Sequence, residues 1–305
     1  MAMIEIAVVG GGPAGLTAAL YAARAGRSVT VFEGNSFGGQ ITQSPLVENY
    51  PGLANVSGME LGDRMYVQAE QAGATLSFSG VEAIQKSATG TFLLTTEDGI
   101  VEAQAVIYAA GAAPRHLELP GEEALVGRGI SYCALCDGAF FANQDVAVAG
   151  GGNTALEDAL YLAQRCRSVT LIHRRNTFRA ESALVERAKA TRNLTIVTQA
   201  QITALLAQNG NLTGLLLQKQ DGTDKTLAVS GLFVAFGRIP DTAPLSGLAA
   251  RDEQGYVLTD DQMQTLTPGL FAAGDCRHKQ IRQLTTAVSD GTVAAISACR
   301  YLGNR

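Results

Sequence analysis

The chain has 305 residues, 47% of them hydrophobic, which is enough for two domains with proper cores. Its 34 glycines against 8 prolines point to many tight backbone approaches rather than to disorder. A net charge of −5 gives no electrostatic reason to expect nucleic acid or an anionic membrane, and no apolar run reaches the length of a membrane span.

The start, Met1 to Ile6, has no basic n-region, apolar h-region or cleavage site, so export is not expected. Five cysteines with one close pair fit a reducing compartment and a redox-active site, and the cytoplasm is the expected location. Residues 4–9 read as a short buried parallel strand. They run into Gly10-Gly-Gly-Pro13-Ala14-Gly15, a helix over Leu16–Ala25, and a second strand Ser28–Phe32 that ends at Glu33. This is the dinucleotide fingerprint in its full context. Gly10 makes the tight turn, Gly12 lets backbone N–H groups approach a pyrophosphate, and Gly15 lets helix pack on strand. The Glu33 carboxylate suits a ribose 2′-hydroxyl. Further on, Gly38–Thr42 and Val47–Gly52 form a loop-rich segment suited to covering a flavin. Residues 59–72 have a helical apolar pattern, Val81–Lys86 and Thr91–Thr96 read as a hairpin, and the strand Ala105–Tyr108 leads to a turn at Gly111–Pro114.

Next comes Ser131-Tyr-Cys133-Ala-Leu-Cys136-Asp137-Gly-Ala-Phe140-Phe141. A Cys-x-x-Cys pair can interconvert between dithiol and disulfide, and placement at the start of a short helix favours thiolate. Asp137 is placed to shuttle a proton. A zinc site would need a second ligand pair, but Cys166, Cys276 and Cys299 stand alone, so no metal is expected. Haem attachment would need His where Asp137 stands. A pair of ordinary buried cysteines is the remaining alternative.

The chain then repeats itself. Shifted by 140 residues, Ala7–Tyr21 falls on Ala147–Tyr161 without a gap, and Gly150, Gly152 and Ala155 take the three fingerprint positions. The position of Glu33 becomes His173, which opens His173-Arg174-Arg175-Asn-Thr-Phe-Arg179. A carboxylate repels a 2′-phosphate, whereas Arg174, Arg175 and Arg179 can bind one by charge-assisted forks. The first site therefore reads as one for FAD and the second as one for NADPH. A solvated basic run is the alternative for the arginines, and His173 suits either a phosphate contact or a packed terminus. A helix over about 180–192, strands at Leu194–Val197 and near 212–218 and 232–236, and a return linker at Phe236–Thr242 follow. Gly274-Asp275 ends a strand where a ribityl hydroxyl can be held. Arg282-Gln283 leads into the last helix, about 283–302, whose N-terminus can stabilise negative charge on a flavin. Cys276 reads mainly as packing, as do Cys166 and Cys299.

These residues together resemble the low-molecular-weight thioredoxin reductases along essentially the whole chain. The carrying motifs are Gly10–Gly15 with Glu33, Glu48–Gly52, Cys133–Cys136 with Asp137, Gly150–Ala155, His173–Arg179, Gly274-Asp275 and Arg282-Gln283. The resemblance implies an α/β protein of two Rossmann-like nucleotide-binding domains of three-layer ββα type, with the NADPH domain inserted into the FAD domain. The implied boundaries are 1–113 and 244–305 for FAD, and 114–243 for NADPH and the redox disulfide. It adds Gly39, Gln40, Asn49, Ala110 and Gly111 to the FAD contacts, and Asn153 and Thr154 to those of NADPH. It further implies a homodimer, with thioredoxin or a thioredoxin-like protein as acceptor. Cys136 would face the flavin, Cys133 would attack the partner's disulfide, Asp137 would donate the proton, and Phe140 and Phe141 would touch the partner. The inserted domain would rotate on its two linkers to serve both reactions. Leu135, where the family more often has a small polar residue, and Cys276, at a usually aliphatic site, are departures. An FAD-dependent dithiol oxidase acting on a small molecule would not need the arginines. A non-catalytic redox-sensing flavoprotein would leave both the arginines and Asp137 without a role.

Overall fold

The computed structural model describes residues 3–53 and 55–303. The chain divides into two units: Met1–Ala113 with Ile239–Arg305, and Pro114–Arg238. Its helices are α1 (Pro13–Arg24), α2 (Gly58–Gln71), α3 (Glu122–Leu125), α4 (Ala134–Asp137), α5 (Asn153–Ala163), α6 (Ser182–Ala190) and α7 (Leu284–Gly303).

The first unit is built on a seven-stranded sheet ordered Thr75–Ser77, Val29–Phe32, Ile4–Val9, Gly99–Tyr108, Phe92–Thr96, Val81–Lys86. The strands before Phe92–Thr96 run parallel, and the last two fold back as an antiparallel hairpin on Gly99–Tyr108. One edge of that long strand is shared. Residues Gly99–Ala103 pair with the hairpin, and Val106–Tyr108 pair in parallel with Leu270–Ala272. Successive side chains of a strand point to opposite faces, and the central strands are apolar on both. Ile6 and Val8 join Ile107, α1 and α7 in one core, while Ala7 and Val9 join Tyr108 and the hairpin residues Ile84, Phe92 and Leu94 in another. Helices, parallel sheet and antiparallel strands thus form three layers.

The second unit repeats the plan. Five parallel strands run in the order Leu194–Thr198, Ser168–His173, Asp145–Gly150, Gly231–Ala235, Ile130–Ser131. Val146 and Val148 pack with Leu156, Ala159 and Leu162 of α5. Ala147 and Ala149, facing the other way, pack against Ile202, Leu215 and Leu217 of a three-stranded antiparallel sheet, Ala200–Gln208, Asn211–Lys219 and Asp224–Ala228. The chain passes between units along Ala112–Pro114 and Arg238–Pro240, which pair as a two-stranded sheet.

Helices α1 and α7 approach closely at Gly291. A Cβ added to Gly291 of α7 would stand 2.2 Å from the Ala14 carbonyl oxygen of α1. That atom belongs to backbone and cannot swing away, so the helices would have to part. Gly291→Ala is expected to destabilise the protein by about 1–3 kcal/mol in a denaturant titration, despite alanine's better helix propensity. Gly303→Ala, whose added carbon would meet nothing nearer than the Arg27 guanidinium at 3.7 Å, should leave the midpoint unmoved. Equal midpoints for the two variants would show that the crossing tolerates a methyl group.

Candidate active site: two glycine turns and a redox disulfide

In the first unit the strand Ile4–Val9 enters α1 through a turn that only glycine can make. Gly10 has φ +105°, and a Cβ there would lie 2.4 Å from the Ala109 carbonyl oxygen. A Cβ on Gly15 would lie 1.9 Å from the Gly10 carbonyl oxygen. Gly12 differs: its added Cβ would meet only the Gly39 Cα, at 4.0 Å, so its outer side is open. Gly12 is also the N-cap of α1, Pro13 fills the first turn, and no side chain caps the helix. The free amides beside Gly12 and the helix dipole suit a pyrophosphate, and the open cradle fits one. Ala14 is buried beneath the turn, and Gly274 rests on it.

Glu33 ends the next strand. Its Oε2 accepts a hydrogen bond from the Gly11 amide at 2.7 Å and its Oε1 one from the Asn35 amide at 2.8 Å. Each oxygen keeps a second lone pair for a hydroxyl donor. Gly39 (φ +60°) backs onto Gly12. Gln40 Nε2 donates to the Ala112 carbonyl at 2.7 Å, beside Gly111 (φ +74°) and the half-buried Ala110. Asn49 Nδ2 reaches Gln283 Oε1 at 3.5 Å. Arg282 lies flat on the Tyr256 ring, 3.9 Å from its centroid, and donates to the carbonyls of Asp275 and Arg277. Asp275 Oδ1 is buried without a hydrogen bond from the described residues, with the Lys279 ammonium 3.4 Å away. A buried carboxylate oxygen in that condition fits a polyol hydroxyl that donates to it. The neighbouring Cys276 is fully buried, and burial pushes its thiol up to about 12, so it has the character of packing.

The second glycine turn is similar, but Gly150 is not left-handed and Ala155 takes the third position. A Cβ on Gly150 would strike Ala155 at 2.5 Å, and Gly152, the N-cap of α5, is open on its outer side with no side-chain cap. Thr154 is exposed on the first turn, and Asn153 exchanges hydrogen bonds with Glu181, donating from Nδ2 and accepting its amide on Oδ1. His173 is a packed terminus: its ring lies against Gly151, stacks on Phe178 at 5.0 Å and donates through Nε2 to the Thr177 carbonyl at 3.0 Å. Arg174, Arg175 and Arg179 are exposed just beyond it.

Cys133 and Cys136 form a disulfide. Cys133 caps α4, and its sulfur accepts a hydrogen bond from the Cys136 amide at 3.2 Å. Helix α4 is only one turn, Ala134–Asp137. Asp137 is mostly buried, and burial holds its carboxyl above the usual range against the lowering effect of a hydrogen bond from Ser131. Ser131 donates to Asp137 Oδ2 at 2.6 Å and accepts the Cys133 amide at 3.1 Å. Asp137 Oδ1 is buried with no hydrogen bond from the described residues. Ser131 has no signal in the sequence, because nothing in its spacing ties it to Asp137. Leu135 is 55% exposed between the sulfurs. Phe140 is half-buried, and Phe141 packs edge-on against Phe233, 5.3 Å between centroids, over Gly231.

Residues 4–291 match the profile of the pyridine nucleotide-disulphide oxidoreductases. Thioredoxin reductase of Mycolicibacterium smegmatis is 43% identical over 99% of this chain and 97% of its own length. The bifunctional thioredoxin reductase/thioredoxin of Mycobacterium leprae is 45% identical over 98% of this chain, which spans 66% of that longer protein. Among solved structures, thioredoxin reductase from Streptococcus pyogenes superposes with a TM-score of 0.95 at 40% identity, over 100% of this chain and 99% of that one. With the glycine turns and the disulfide in place, and similarity of this degree from end to end, the chain belongs to the pyridine nucleotide-disulphide oxidoreductases and, within them, to the thioredoxin reductase family.

Proposed function

We propose that this protein is an NADPH-dependent thioredoxin-disulfide reductase, passing electrons from NADPH through FAD and the Cys133–Cys136 disulfide to thioredoxin or a thioredoxin-like protein. The observation that carries this reading is the formed disulfide beside a buried acid, in the unit that also holds the second glycine turn. The turn at Gly10–Gly15, with Glu33 and Asp275, holds FAD. The turn at Gly150–Ala155, with Arg174, Arg175 and Arg179, holds NADPH. Bound there, the two cofactors would supply the hydride transfer that side chains cannot perform.

Two electrons and two protons convert the disulfide into two thiols. The Cys133 thiolate attacks a partner sulfur, forming a mixed disulfide as the partner's other sulfur leaves. Cys136 then attacks Cys133, restoring the Cys133–Cys136 bond and releasing the partner's dithiol. Asp137 holds and moves the proton that a leaving thiolate takes. Exposed Leu135 and half-buried Phe140 flank the sulfurs as the partner's contact, whereas Phe141 anchors the segment to its own unit. A homodimer in the cytoplasm belongs to the same reading. Apolar Met59 and Val67, exposed on α2, support the dimer, and the unpaired Cys166, Cys276 and Cys299 support a reducing compartment.

NADPH oxidation measured with and without oxidised thioredoxin tests the proposal. Turnover that needs thioredoxin supports it, whereas oxygen consumption driven by a small dithiol in the absence of NADPH would favour an oxidase. Replacing Arg174 and Arg175 with glutamine removes two charged contacts, each worth roughly 1.5–3 kcal/mol. The KM for NADPH should rise by about 10²-fold or more while that for NADH barely moves; an unchanged ratio would take both arginines out of the site.

Asp137 offers a separate check. Its folded-state pKa lies above that of the unfolded chain, so its stabilising contribution is complete below the ordinary carboxyl range and lost as pH rises through the raised value. Asp137→Asn should therefore gain Tm relative to the parent as pH climbs through that window, while thioredoxin-dependent turnover drops by about 10²-fold or more. Parallel Tm curves for the two proteins would mean that Asp137 is not strained by burial.

A further inference from the structure

Lys279 is a buried lysine with no part in the chemistry described so far. Only 8% of its side chain is exposed, a placement that lysine takes only when its charge is matched. Its Nζ donates to Asp290 Oδ2 at 3.0 Å, approaches Thr286 Oγ1 at 3.4 Å and lies 3.4 Å from Asp275 Oδ1.

Asp290, on α7, is well supplied without it. Arg277 binds both its oxygens, Nε to Oδ2 at 2.9 Å and Nη2 to Oδ1 at 3.1 Å, and the Gly274 amide adds a bond at 3.1 Å. Burial works to raise the Asp290 carboxyl, but the Arg277 hydrogen bond and the Lys279 charge outweigh it and hold the group below its usual range. Asp275 is the member in need. Its Oδ1 is buried, lacks a hydrogen bond from the described residues, and has Lys279 as its ion-pair partner. Asp275 and Asp290 carry two negative charges, and Arg277 and Lys279 carry two positive ones. Removing Lys279 leaves the Asp275 carboxylate with no ion-pair partner among the described residues, since Arg277 is engaged by Asp290 and Arg282 reaches only the carbonyls of Asp275 and Arg277.

We propose that Lys279 is a positioning residue for FAD: anchored by Asp290 and Thr286, its ammonium fixes the Asp275 carboxylate and offsets its charge, so that Oδ1 is a ready acceptor for a flavin hydroxyl. The ammonium stands beside Oδ1 without donating to it, which leaves the oxygen's lone pairs for the ligand. The proposal rests on the reading of the Gly10–Gly15 turn as an FAD cradle. An acceptor held in place before binding loses less entropy on binding, so the effect falls on FAD affinity.

The experiment dilutes the holoprotein and follows the flavin fluorescence released as FAD dissociates, for the parent, Lys279→Met, Lys279→Arg, Asp275→Asn and the Asp275→Asn/Lys279→Met pair. Lys279→Met is expected to weaken FAD binding by about tenfold or more, and Lys279→Arg to recover most of the loss. In the Asp275→Asn background the Lys279→Met change should shift affinity by less than about twofold, because Lys279 acts through Asp275. Unchanged affinity in Lys279→Met overturns the proposal. So does an equal loss in both backgrounds, which would make the lysine a brace of the fold. If Lys279→Met does not accumulate as folded protein, Lys279→Met with Asp290→Asn keeps the cluster's charge balanced and carries the same expectation. Failure of that pair to fold also overturns the proposal. A parent protein that takes up no FAD refutes the cradle itself, an outcome visible before any variant is made.

Discussion

Both units rest on one steric constraint: a strand must run straight into a helix with its backbone pressed against the next strand. In the first unit Gly10 is held at positive φ against Ala109, and its carbonyl fills the space that a Gly15 side chain would need. The second unit makes the same passage without a left-handed residue at Gly150, and there Ala155 is accepted, fully buried. The first turn thus needs a glycine at its third position and the second does not. In both, the N-cap glycine is open on its outer side, and an uncapped helix end is left to face an anion. The sheets, the two-sided cores and the α1–α7 crossing keep these turns rigid. Pre-organisation of the amides is therefore a property of the packing rather than of a flexible loop.

Asp137 in the second unit and Asp275 in the first each have a buried oxygen with no hydrogen bond from the described residues, and their surroundings differ. Burial outweighs the single hydrogen bond from Ser131 and favours the neutral form of Asp137. Asp275 stands beside the Lys279 ammonium, 3.4 Å from its Oδ1.

Much of the scaffold was legible because its signals are local. The continuous apolar runs of Ile4–Val9 and Asp145–Gly150, the glycine spacing and the 140-residue repeat can all be read without knowing any long-range contact. The strand Ala200–Gln208 was not assigned: its run of alanine, leucine and glutamine has no clean two-residue alternation, and its pairing with Asn211–Lys219 shifts register twice. Within the candidate site, the residues that act by side-chain identity announced themselves, Cys133, Cys136 and the arginines among them. Those defined by what packs on them did not. The setting of His173 depends on its ring lying over Gly151, and that of Phe141 on Phe233, neither of which neighbouring sequence reveals. Ser131 and Lys279 were silent for the same reason, since their partners are brought to them only by the folded chain.

The shared edge of Gly99–Tyr108 sets an order on how the molecule is assembled. Val106–Tyr108 gain their second neighbour from Leu270–Ala272, and the layer over α1 is closed by α7, so the first unit lacks an edge and a helix until nearly the whole chain has been made. The second unit, Pro114–Arg238, is continuous and holds all the strands of its own sheets. During synthesis it can reach its native state while the earlier segment waits with an open strand edge and an uncovered apolar face, the features that invite misassociation. The late-emerging tail is therefore the part of the chain on which the ribosome's product depends to leave the pool of aggregation-prone intermediates.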